Sequence, residues 1–241
     1  MKLIRADLTY ITKLYFHSTK VILPSIIWLL SVLLNYQVQP NYITASFLTT
    51  ATVMFIVAMI TTYGFFENLT TLQEKLLLLD NRNQNSIYLA FFIFIYLVLA
   101  LGSTLAIIIP MIKYLYIGKN FFIGQLTGID IISGWLVQLI GIPLGIAIGF
   151  WTQKRVIKRR KTALLLTALI AIIAIQSGSM FGQTSWLSYV FPPIYPVFLM
   201  LGKSNQFHLA SVLLAFIIVY GYALLLLLLN FYYLNRCKFD R

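Results

Sequence analysis

Six stretches of this chain, about 21–38, 43–66, 87–111, 129–151, 163–180 and 209–229, are apolar over the length of a bilayer crossing, and only Asp130 among them is charged. A helix needs about 20 apolar residues to cross the ~30 Å hydrocarbon core. Backbone N–H and C=O groups have no water to bond there, so such stretches must be helical. Composition agrees: 60% of residues are hydrophobic and 10% charged, against roughly a quarter charged in an ordinary soluble chain. The expected fold is an all-α integral membrane protein with about six transmembrane helices, forming one transmembrane domain over 1–241. The connecting loops are too short for a second, soluble domain.

The segments between these spans have distinct characters. In residues 1–20, Leu3, Ile4, Leu8, Ile11, Leu14 and Tyr15 share one helical face and Lys2, Arg5, Lys13 and Lys20 the other, as in a helix lying along the membrane interface. No small-residue cleavage site follows the first apolar run, so that run is read as a span. The second span is rich in Thr and small residues, and the fourth carries Gly134, Gly141, Gly145 and Gly149 at nearly regular spacing. Both patterns favour close helix contact. Residues 186–201 are apolar but hold Pro192, Pro193 and Pro196. Three prolines would remove too many backbone hydrogen bonds for a crossing, so a short re-entrant segment is expected.

The basic residues orient the chain. Alternate segments, beginning with the N-terminus, hold 15 of the 18 lysines and arginines, and the intervening ones hold only Lys113, Lys119 and Lys203. Short loops with excess Lys and Arg stay in the cytoplasm. Both ends, residues 67–86 and residues 152–162 are therefore expected inside, in a cell (plasma) membrane. The net charge of +12 is accounted for by this rule, without a nucleic-acid partner.

Catalytic chemistry is sparse. The acids Asp7, Glu67, Glu74, Asp80, Asp130 and Asp240 sit at span ends or in cytoplasmic segments, and no His, Cys or acidic group has metal-ligand spacing. The single Cys237 reads as a bystander thiol. Gly202-Lys203-Ser204 resembles the end of a phosphate-binding loop, but the leading glycine is replaced by Val197. The chain is expected to be no enzyme and to bind no cofactor itself. Inside the spans, Thr52, Tyr63, Gln138 and Gln176 are candidate pathway residues. The glutamines more commonly bond a neighbouring helix, and Tyr63 is as readily an interfacial anchor as a gate residue.

The segment from Glu67 to Ser86 carries the functional signal. Leu69, Leu72, Leu76 and Leu79 recur at helical spacing, with Glu74 and Lys75 largely on other faces, and Asp80 to Asn85 is a helix stop from which Ser86 can cap the next span. A short amphipathic helix between two spans is a lever for a partner, or else rests on the headgroups. Together with the N-terminal amphipathic helix, the basic fourth-to-fifth loop and the Trp- and Pro-bearing segment, this loop resembles that of the small permeases of ABC type-2 exporters. The family's usual loop opens Glu-x-Gly-Thr and ends in proline, whereas this chain has Asn68-Leu69-Thr70 and no proline from 67 to 86. The resemblance implies a coupling helix at 69–79, opened by Glu67, which docks on a separate cytoplasmic ATPase subunit that holds ATP and Mg. It also implies an outer gate built from Trp186, Pro192, Pro193 and Pro196, and pairing with a second permease, identical or related. The cargo expected from uncharged spans is amphipathic or apolar: a peptide, drug or lipid-like molecule. The alternative is a non-transporting immunity or scaffold protein.

Overall fold

A computed structural model describes residues 11–80, 84–181 and 191–236, helical almost throughout. In chain order the helices are α1 (Ile22–Asn35), α2 (Ile43–Asn68), α3 (Thr71–Asp80), α4 (Gln84–Ile117), α5 (Gly128–Trp151), α6 (Arg160–Phe181), α7 (Ile194–Leu201) and α8 (Leu209–Arg236). Five of them, α2, α4, α5, α6 and α8, are long and apolar enough to cross a membrane. The chain is a helical, multi-pass protein of membrane-embedded character.

Helix ends depart from the sequence reading where flanking residues are also good helix formers. The third expected span, 87–111, lies within the 34 residues of α4, about 51 Å long at ~1.5 Å per residue. Lys113, expected in a loop, is therefore on α4, and Ser86, expected to cap it, lies inside it. The first expected span is shorter than read: a 3-10 turn at Thr19–Val21 leads into the 14 residues of α1, together about 27 Å. Of the expected interfacial helix, residues 11–16 are helical, and Ile11 and Tyr15 are buried in the core. Residues 1–10, Trp186 and Cys237 lie outside the described residues.

α5 is the centre of the bundle, packed against α2, α4 and α8; α1 flanks α2, and α6 touches α2 and α7. Most of α2 and α5 is buried, whereas α4, α6 and α8 leave about two thirds or more of their apolar windows unburied. The glycine spacing on α5 sets the closest contact. A Cβ at Gly145 would stand 2.6 Å from the Phe55 carbonyl oxygen, and one at Gly149 would stand 2.5 Å from Thr62 Cβ. Only glycine lets the two backbones approach so closely.

One end of the bundle is closed by irregular chain. Asn41–Tyr42 (β1) pairs in parallel with Phe122–Ile123 (β2), so the expected tight hairpin at 39–41 instead reaches across to the link between α4 and α5. Tyr36, Phe47, Phe121, Phe122 and Phe207 pack beneath it. Asn205 accepts from Ile43 N at 2.9 Å and donates to the Ile123 carbonyl, and Thr44 donates to Ser204 O at 2.8 Å. Thr127 and Asp130 form a capping box on α5, and the second Asp130 oxygen accepts from Phe207 N at 3.0 Å. This is the cap end; Lys20, Lys154, Arg155 and Arg160 mark the opposite, basic end.

Candidate functional site

At the basic end, α3 stands in the chain between α2 and α4. The α2 helix runs to Asn68, and Thr70 and Gln73 open α3 with reciprocal bonds of 3.2 Å (Gln73 N to Thr70 Oγ1) and 3.0 Å (Thr70 N to Gln73 Oε1). The leucine stripe is divided by this geometry. Leu69 precedes the helix and is 3% exposed, packed with Phe65 and Phe66, while Leu72 and Leu76 are 67% and 58% exposed. The side chain of Leu79 lies outside the described residues. Leu69 is thus a core residue, because its backbone N–H still bonds Phe65 O and turns it inward.

Glu67 and Glu74, expected to face a partner, are both engaged by cations of the chain itself. Glu67 pairs with Lys20 at 2.9 Å and with Arg160 on α6, and Lys154 donates to its backbone carbonyl at 2.8 Å. Glu74 is buried; it accepts from Tyr88 Oη at 2.6 Å, and that hydroxyl accepts from Arg155 Nη1 at 2.6 Å. Arg155 also donates to Leu234 O at 2.8 Å near the end of α8. The clamp therefore ties α3 to α4, to the α5–α6 loop and to α8. Lys75 is half-buried on α3.

Between the end of α2 and the start of α6 lies a pocket of about 270 Å³, lined by Tyr63, Glu67, Thr152, Gln153, Lys154, Ile157, Lys158, Arg160 and Ala163. Tyr63 is among the lining residues. The other pathway candidates are not brought together. Thr52 is half-buried about 16 Å further along α2, its hydroxyl bonded to Leu48 O at 2.9 Å. Gln138 is fully buried and donates to Thr50 Oγ1 at 3.3 Å, binding α5 to α2. Gln176 is exposed on α6.

The described part of the proline segment forms a short helix. Pro192 and Pro193 are buried ahead of α7, and Pro196 falls in its first turn, where a missing N–H costs nothing. The eight residues of α7 reach only about 12 Å, and they pack against α6 and α8.

Sequence reasoning passed over Arg155, Tyr88 and Asp130. Asp130 had a readable signal, since Thr127-x-x-Asp130 ahead of an apolar run is a capping pattern. Arg155 and Tyr88 had none. Among the described residues no group of three or more His, Cys, Asp or Glu is placed to hold a metal ion. Comparison with protein-family models, with curated proteins and with solved structures found no match.

Proposed function

We propose that this chain is the membrane-spanning permease subunit of an ATP-binding cassette exporter, moving an amphipathic or apolar substrate outward. A separate cytoplasmic ATPase subunit would hydrolyse ATP, and a second permease, identical or related, would complete the pathway. The observation that supports this reading is α3. It is a short helix held between two long apolar helices, its buried Glu74 tied through Tyr88 to Arg155 of the basic loop and its Leu72 and Leu76 turned outward. Such a helix offers apolar contact to a partner and a rigid connection to α2, α4, α5 and α8.

Six crossings with both ends in the cytoplasm are part of the proposal. The short α1 supports it, since its two ends are tied to the two ends of α2. Lys20 reaches Glu67, and Asn35 donates to Ser46 O at 2.9 Å; Ser46 and Glu67 are about 32 Å apart along the helix.

The test is co-purification of an ATPase with the tagged chain, repeated with Leu72→Asp and Leu76→Asp together. Burying two carboxylates in an apolar groove costs several kcal/mol, so the double variant is expected to insert normally and to lose the ATPase and export. Unchanged co-purification and export would overturn the coupling role. A wild-type chain that purifies with no ATPase, yet protects cells from a toxic peptide, would favour the immunity reading instead.

A further inference from the structure

The pocket between α2 and α6 has features that coupling does not use. Three cations line it, Lys154, Lys158 and Arg160, against one carboxylate, Glu67. That carboxylate is already neutralised, one oxygen by Lys20 and the other by Arg160. Gln153 is among the lining residues and is 3% exposed, yet its amide nitrogen has no acceptor among the described residues. A buried donor of this kind is costly to leave unmet, and such groups commonly mark the place of a missing partner. Tyr63 and Thr152 also line the pocket, and the Thr152 hydroxyl already donates to Gly149 O at 3.0 Å.

We propose that this pocket binds a phosphate group, with the Gln153 amide donating to a phosphate oxygen and Lys154 and Arg160 supplying the positive field. A phosphodiester brings acceptors only and inorganic phosphate brings mostly acceptors, which suits an unmet amide donor beside cations. At about 270 Å³ the space takes a phosphate and the few carbons next to it, but no segment of a protein. The phosphate could be the diester of an anionic phospholipid headgroup, reached from the leaflet around the start of α6, or free inorganic phosphate. The site requires no transport activity, so it stands or falls apart from the exporter reading.

The full-length chain would be placed in nanodiscs of phosphatidylcholine alone, of phosphatidylcholine with phosphatidylglycerol, and of phosphatidylcholine with inorganic phosphate in the buffer. Thermal unfolding and the lipid retained on the chain in native mass spectrometry would be followed. The expected result is a raised unfolding temperature and a retained anionic lipid or phosphate in the wild type. Gln153→Met should weaken that binding about tenfold, the scale of one hydrogen bond to a charged group, and Gln153→Glu should abolish it by placing like charge in the pocket. Lys119→Gln, at the cap end, should leave it unchanged. Protection by phosphatidylglycerol alone identifies a headgroup, and protection by inorganic phosphate alone identifies a soluble anion. If Gln153→Met fails to fold, Lys154→Gln takes its place with the same expectation. Absence of protection in both arms, or binding equal in wild type and the Gln153 variants, would overturn the site; equal binding would mean that general surface charge attracts the anion.

Discussion

At the scale of single residues, glycine and aspartate decide the most. Gly145 lies against the Phe55 carbonyl and the Met59 amide, backbone atoms that cannot rotate away as a side chain can. Gly145→Ala must therefore part α2 from α5, and overpacking of this kind costs about 1–3 kcal/mol. Gly221 on α8 has nothing within 4 Å of where its Cβ would be. Gly221→Ala is expected to leave the unfolding temperature in detergent unchanged or slightly raised, while Gly145→Ala lowers it by several degrees. Equal behaviour of the two variants would show that the α2–α5 contact is not what holds the bundle. Asp130 is of the same importance: one buried carboxylate caps α5 and holds the chain ahead of α8.

At the scale of elements, the clamp on α3 is the feature whose loss should be local. Removing one partner of a buried charged pair costs about 3–5 kcal/mol, because the other charge is left unpaired. Arg155→Met should accordingly free α3, seen as faster amide hydrogen exchange over 71–80 with α2 and α5 still protected. The Arg155→Met and Glu74→Gln double variant, which leaves no buried charge, should recover much of that protection. Unchanged exchange over α3 in the single variant would remove the clamp from the argument. This clamp also marks where the sequence stopped being informative. Five of the expected spans were legible because apolar run length is a local property, and close helix contact was legible in glycines spaced about four apart on α5, although nothing in that spacing named α2 as the partner. The inward turn of Glu74 and Leu69 was not, since it depends on Arg155, Tyr88 and Phe65 arriving from separate parts of the chain. The helix ends were misjudged for a related reason: polar residues such as Lys113 can extend a helix beyond the apolar stretch, and Lys113 does so by donating to Tyr36 O at 3.0 Å.

At the scale of the whole molecule, charge and architecture coincide. The described cations Lys20, Lys154, Arg155 and Arg160 are joined through Glu67 and Glu74 at one end, while Lys113 meets Tyr36 at the other. Lys203 is next to Ser204, which Thr44 binds at the cap end. The division of lysines and arginines along the sequence is thus also a division between the two ends of the bundle. Because cytoplasmic loops retain their Lys and Arg, the basic end is expected inside and the cap end outside. Arg159, Lys119 and Lys203 are all exposed, so each can carry a reporter without disturbing the core. In a Cys237→Ser background, Lys119→Cys and Lys203→Cys should react with a membrane-impermeant thiol reagent in intact cells, and Arg159→Cys only after the membrane is opened. Lys13→Cys, exposed just ahead of α1, should behave as Arg159→Cys does under the proposed crossing by α1, whose flanks at Lys20 and Asn35 meet opposite ends of α2. Labelling of Arg159→Cys in intact cells would invert the orientation, and labelling of Lys13→Cys there without Arg159→Cys would remove the crossing by α1.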